Sequence, residues 1–261
     1  MNGAIVETFR NGIATLGINR PKNLNSYDLE ILVRFHQTIE QYSQREDIRV
    51  LVFEGVGSTF CTGPDLAKLV DVMESGDVRS LRRLLEVTKQ ILLLIRRLPQ
   101  FTLASIDGVA ADGGLNLALA CDRRIATPAS LFGYPFSQVG VSPDVGTSML
   151  LQGLVGQAKA LQITLSGKLL SSHEACSLGI LDEIVQFEEL EGKKADLAQE
   201  METIPPMVLR NVKRAVYRAS RQLEGIVDTE LEGRIRCFLS DDLKEGLRAF
   251  VENRPALFRG S

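Results

Sequence analysis

Residues 104–122 read Ala104-Ser105-Ile106-Asp107-Gly108-Val109-Ala110-Ala111-Asp112-Gly113-Gly114-Leu115-Asn116-Leu117-Ala118-Leu119-Ala120-Cys121-Asp122. Thr102 to Ile106 has the apolar, β-branched character of a buried strand, and Leu115 to Ala120 supplies strong helix formers directly after Gly113-Gly114. A strand therefore feeds a helix through a glycine-opened turn. The first N–H groups of a helix have no intrahelical partner, and glycine lets another group come close to the backbone. Together they make hydrogen-bond donors for an oxygen that gathers negative charge. The same residues also fit a tight turn that merely packs a small-residue helix on a sheet.

Outward from this stretch, strands and helices alternate. Ile5 to Phe9 and Ile13 to Ile18 flank Arg10-Asn11-Gly12, a strong hairpin signal. Ser26 is placed to cap a helix that carries Leu32, Phe35, Ile39 and Tyr42 at helical spacing, and Val50 to Phe53 follows as a strand. Asp77 to Leu98 predicts a long helix with Leu81, Leu84, Leu85, Thr88, Ile91, Leu92 and Ile95 on one face. Arg123 to Ala126 and Leu131 to Phe132 predict short strands, and Val145 to Leu154 and Gln157 to Leu165 predict helices. Ser171 or Ser172 with Glu174 marks another helix start. Such alternation favours an α/β fold with parallel strands joined by crossover helices. Near Glu202 to Pro206 the character changes to helices alone, so two regions are expected, 1–202 and 203–261. In the second, Arg210, Arg214 and Arg218 recur every four residues with Lys213 beside them, fitting either a solvated face or a contact with phosphates.

The 261 residues carry 44% hydrophobic and 24% charged side chains with a net charge of −3, an ordinary globular balance that speaks against an electrostatic nucleic-acid binder. Cys61, Cys121, Cys176 and Cys237 form no C-x-x-C pair, so no metal site is expected. No apolar run approaches about 18 residues and no signal-peptide pattern opens the chain, which predicts a cytoplasmic protein without a membrane partner.

The order Leu103-Ala104-Ser105-Ile106-Asp107-Gly108, Gly113-Gly114, Leu117-Ala118-Leu119-Ala120-Cys121-Asp122 resembles the signature of the crotonase superfamily, the enoyl-CoA hydratase/isomerase fold. Phe60-Cys61-Thr62-Gly63-Pro64-Asp65-Leu66 is similar to that family's first oxyanion-hole loop. Asn19-Arg20-Pro21 to Asn25-Ser26 is similar to its N-terminal loop, and the likeness continues through Leu178 to Val185 and Glu245 to Phe250. The resemblance implies a crotonase-like ββα superhelix core with a C-terminal helical trimerisation region. It also implies a homotrimer or dimer of trimers, an acyl-CoA substrate and no cofactor beyond the coenzyme A of that substrate.

It further implies an oxyanion hole of two backbone N–H groups that polarises the thioester carbonyl, and losing one such donor costs on the order of a hundred- to a thousandfold in rate. Gly113 matches one donor. The other position is Pro64, which has no N–H. On this resemblance, either the Asp65 N–H or a water replaces it, or the hole is weak. Leu24, Thr62, Gly63, Pro64, Asp65, Leu66 and Phe136 match substrate-binding positions. Asp112 replaces a small family residue, and its carboxylate is expected to point away from the oxyanion.

The two water-activating glutamates of family hydratases fall at Asn116 and Phe136, which speaks against simple hydration. Pro135-Phe136-Ser137 to Ser142-Pro143-Asp144 is most similar to delta-3,delta-2-enoyl-CoA isomerases, with Asp144 at the catalytic carboxylate position. An unperturbed aspartate, with a pKa of about 3.9, becomes a better base when desolvated. Asp144 also fits a helix N-cap. The expected activity is an enoyl-CoA isomerase. Hydrolysis or biosynthetic conversion of another CoA ester is an alternative, as is a catalytically weak CoA-ester-binding protein.

Overall fold

The computed structural model describes residues 3–143, 145–217 and 221–259. The chain opens on the expected hairpin, β1 (Ile5–Arg10) and β2 (Ile13–Ile18), turned by Asn11 and Gly12 at φ 50° and 74°. Helix α1 (Leu29–Ser43) follows. It is capped by Asp28, which accepts from the Ile31 N–H at 3.0 Å, and not by Ser26, because the intervening Tyr27 is held in an extended pairing with Pro64. Next come β3 (Val50–Gly55), β4 (Thr59–Cys61), α2 (Leu66–Ser75) and α3 (Val78–Arg97). Then β5 (Phe101–Ile106) and β6 (Val109–Ala111) lead into α4 (Gly113–Ala120), and β7 (Arg123–Ala126) and β8 (Leu131–Gly133) into α5 (Thr147–Val155) and α6 (Gln157–Ser166). Strand β9 (Leu169–Ser171), α7 (Ser172–Ser177), β10 (Glu183–Ile184) and α8 (Leu190–Glu202) complete the core. Helices α9 (Pro206–Tyr217), α10 (Arg221–Phe238) and α11 (Asp241–Val251) end the described chain.

Three successive ββα units each put their first strand in one sheet and their second in another. The six-stranded sheet runs β1-β2-β3-β5-β7-β10, parallel except for β1, and the four-stranded sheet runs β4-β6-β8-β9. Because side chains alternate along a strand, β3 and β5 fill two cores. Leu51, Phe53 and Ala104 join the large core beneath α1 and α3, while Val50, Val52 and Leu103 face Leu197, Met201 and Leu209 of α8 and α9. Among the described residues no helix is long and apolar enough to cross a membrane.

The C-terminal helices contribute Val227, Leu231, Ile235, Phe238 and Leu243 to the large core. Lys213 does not share the exposed face of Arg210 and Arg214; it is buried and its Nζ bonds Asp122 Oδ2 at 2.5 Å and the Gln100 carbonyl at 2.6 Å. Arg218 lies outside the described residues. Asp122 also accepts from Tyr217 Oη at 2.6 Å and from the Thr102 N–H and hydroxyl at 2.7 and 2.9 Å. Burial pushes the Lys213 ammonium below the ordinary lysine range against the opposing pull of Asp122. One carboxylate thus ties α9 to β5.

Helix α5 is tied in a similar way. Its N-cap, Gly146, has no side chain to offer, and Glu230 of α10 takes the Gly146 and Ser148 N–H groups at 2.5 and 2.8 Å.

Asp122→Ala strands a buried ammonium and is expected to cost about 3–5 kcal/mol, read as a fall in the urea midpoint; an unmoved midpoint contradicts the tie. Glu230→Ala removes the α5 cap at about 0.5–2 kcal/mol, a fall in Tm of about 2–4 °C per kcal/mol, against which an unchanged melt would count.

Candidate active site

Two loops are zipped together along one side of the α4 N-terminus. Asn25, fully buried, accepts from the Arg20 N–H at 2.7 Å and donates from Nδ2 to the Thr59 and Val56 carbonyls at 2.5 and 3.1 Å. Arg20 holds the Ser26 carbonyl at 2.8 Å and the Asp65 carboxylate at 3.2 Å, and Thr62 Oγ1 donates to the Leu24 carbonyl at 3.2 Å. The Tyr27 N–H donates to the Gly63 carbonyl at 2.9 Å, and the Asp65 N–H donates to the Tyr27 carbonyl at 2.8 Å. Leu24, Thr62, Gly63, Pro64 and Asp65 are thereby brought together, and the Asp65 carboxylate organises the loop.

Helix α4 seats directly on this unit. A Cβ added to Gly114 would lie 2.1 Å from the Cys61 carbonyl oxygen, and one added to Gly113 would lie 2.0 Å from Tyr27 Oη. No side chain fits at either position. Gly113 is the first residue of α4, where N–H groups lack intrahelical partners. Opposite it, Pro64 has no N–H to give, and the Asp65 N–H is already committed to Tyr27, so it does not serve as the replacement donor. Asp112, at φ 48°, enters the turn with its N–H on the Gly133 carbonyl at 2.9 Å.

Behind Gly113 lies a narrow apolar cavity walled by Tyr27, Ile31, Phe35, Ile91 and Leu117. Leu66 and Phe136 line a second one with Leu69, Val141, Phe238 and Leu247. Asn116 is fully buried; it accepts from Tyr134 Oη at 2.9 Å, and its Nδ2 donates to Thr147 Oγ1 at 2.8 Å.

Asp144 lies outside the described residues, but its neighbours in sequence are well tethered. Arg234 Nη1 donates to the Ser142 carbonyl at 3.0 Å, and Glu230 holds Gly146 and Ser148. Between these ties Val145 sits at φ 49°, a strained conformation for a β-branched residue. The segment 145–146 is not the helix start that periodicity predicts; α5 begins at Thr147. His36 pairs with Glu40 at 3.4 Å on α1, and Lys89 pairs with Asp228 at 2.5 Å.

Tyr27, Glu230 and Arg234 are the residues that sequence reading passes over. Tyr27 reads as one more apolar position before a helix. Glu230 and Arg234 lie more than 80 residues from their partners, with no motif to connect them. The described thiols are unpaired; burial pushes Cys61 up to about 12, far from a reactive thiolate. Among the described residues no group of His, Cys, Asp or Glu is placed to hold a metal ion.

Comparison with known proteins places this site in a family. The enoyl-CoA hydratase/isomerase family model matches residues 8–261. The chain is 30% identical to the trans-2-decenoyl-[acyl-carrier-protein] isomerase of Streptococcus mutans, covering 96% of this chain and 95% of that one. It is 31% identical to the 1,2-epoxyphenylacetyl-CoA isomerase of Escherichia coli, over 98% of both. The crystal structure of enoyl-CoA hydratase from Bacillus halodurans superposes with a TM-score of 0.90 at 27% identity, covering 95% of this chain and 100% of that one. The ββα core, the glycine-opened α4 and the C-terminal helices are those of the crotonase fold, and the chain belongs to the enoyl-CoA hydratase/isomerase family of acyl-CoA enzymes.

Proposed function

We propose that the protein is an enoyl-CoA isomerase that moves a double bond from position 3 to position 2 of an acyl-CoA ester through an enolate. Asp144 takes the proton from C2, and the electrons of that C–H bond form the C2=C3 bond as the charge passes through the thioester oxygen. The same carboxyl group returns the proton to C4, where the old double bond opens. The Gly113 N–H stabilises the oxyanion. Leu24, Thr62, Gly63, Pro64 and Asp65 hold the thioester end, while Leu66 and Phe136 receive apolar parts of the substrate.

The observation that carries this reading is the state of Asn116. A water-activating carboxylate is expected at this position in a hydratase, and here a buried amide is bonded to Tyr134 and Thr147. An amide exchanges no proton with water, and Phe136 offers no acid or base at the second position. One carboxylate suffices for isomerisation, whereas hydration draws on two. The isomerase names among the relatives support the same reading, and hydratases are also among the proteins that this chain resembles.

A second reading, a CoA-ester-binding protein with little turnover, draws on Pro64 and the committed Asp65 N–H. The assembled form in either reading is a homotrimer or dimer of trimers, supported by the exposed Leu161, Leu165, Met207 and Val212.

Incubation with a 3-enoyl-CoA is expected to give the conjugated 2-enoyl-CoA without 3-hydroxyacyl-CoA, and Asp144→Ala is expected to lose turnover while still binding the ester. Accumulation of the 3-hydroxyacyl product, or an Asp144→Ala variant as fast as wild type, would refute the isomerase reading. Negligible turnover by wild type with tight binding would favour the second one.

A further inference from the structure

The wall facing Gly113 is short of amide donors. Pro64 has none, the Asp65 N–H is bonded to the Tyr27 carbonyl at 2.8 Å, and the Gly63 nitrogen approaches Cys61 Sγ at 3.4 Å. The residue that takes up the Asp65 amide brings a donor of its own. Tyr27 is locked to the loop by two backbone bonds, to Gly63 and from Asp65. Its side chain runs from that pairing across to the start of α4. A Cβ on Gly113 would lie 2.0 Å from Tyr27 Oη and 3.6 Å from Pro64 Cδ, so the phenol oxygen and the proline ring share one side of Gly113. Only 3% of Tyr27 is exposed, and it lines the apolar cavity behind Gly113 together with Ile31, Phe35 and Leu117.

We propose that the Tyr27 hydroxyl is the second donor of the oxyanion hole, in place of the amide that Pro64 lacks. A phenol hydroxyl is both a donor and an acceptor, and it gives a hydrogen bond to an oxyanion without transferring its proton. In an apolar, water-poor pocket such a donor stabilises a developing enolate oxygen more strongly than in water. The backbone pairing of Tyr27 with Pro64 and its bonds to Gly63 and Asp65 hold the residue in register before substrate arrives, which limits reorganisation at the transition state. Gly113 then has two tasks. Its N–H is one donor, and its missing side chain leaves the space that the other donor occupies. This assignment rests on the enolate reading above.

The test uses Tyr27→Phe, Pro64→Ala and the double variant, with two readouts. With a 3-enoyl-CoA, Tyr27→Phe is expected to lower kcat by on the order of a hundred- to a thousandfold with KM little changed, the cost of one oxyanion donor. Pro64→Ala in that background restores an amide and is expected to return at least about a tenfold part of the loss. The second readout is the red shift of 2,4-hexadienoyl-CoA absorbance on binding, which reports carbonyl polarisation without turnover. The shift is expected in wild type, reduced in Tyr27→Phe and partly regained in the double variant. A Tyr27→Phe protein with wild-type kcat and wild-type shift overturns the assignment. If wild type turns over no 3-enoyl-CoA yet shows a Tyr27-dependent shift, the isomerase reading falls and the donor stands. A wild type that binds the probe with no shift overturns both.

Discussion

The N-terminus of α4 is seated on the backbone of Cys61 to Pro64 so closely that no side chain fits between them, and the geometry of the site follows from that contact. The Cys61 carbonyl lies where a Cβ of residue 114 would be, and the Tyr27 hydroxyl lies where a Cβ of residue 113 would be. A helix that comes this near a neighbouring chain segment presents its first N–H groups, and their partial positive charge, to whatever occupies the gap. The ββα repeat makes the approach possible, because β4 and β6 pair in one sheet and deliver their following segments to the same edge. The N-terminal loop completes the wall by pairing Tyr27 with Pro64.

The second dependence runs through the C-terminal helices. Asp122, at the end of α4, gathers Lys213 and Tyr217 and so pins α9, and Glu230 and Arg234 of α10 grip the chain on either side of residue 144. Val145 is held in a left-handed conformation that costs of order 1–3 kcal/mol in isolation, so bonds from α10 maintain a backbone that local sequence does not favour. The C-terminal helices therefore shape the chain on either side of residue 144 as well as covering the core.

Much of this was legible in the sequence because the information is local. The hairpin is written in Asn11-Gly12, the long α3 in its spacing of Leu81, Leu85, Ile91 and Ile95, and the glycine-opened α4 in Gly113-Gly114. The resemblance carried the family and drew attention to Pro64. What escaped was non-local. Strands as short as β4 and β6 give three residues of pattern, too few to separate from loop. The cap of α1 moved from Ser26 to Asp28 because Tyr27 is engaged with a segment 37 residues away. Lys213 looked like part of a basic stripe because its partners Asp122 and Gln100 are distant in the chain. The fate of the Asp65 amide depended on the same Tyr27–Pro64 pairing, which no spacing predicts.

In the proposed enolate chemistry this site draws charge onto a thioester oxygen and lets a proton leave C2. Exchange of the C2 protons of a saturated acyl-CoA for deuterium, followed by NMR in heavy water, measures that step without any double bond to move. Enzyme-dependent exchange at C2, and nowhere else along the chain, is the predicted result. A bound ester whose C2 protons exchange no faster than in buffer would contradict it.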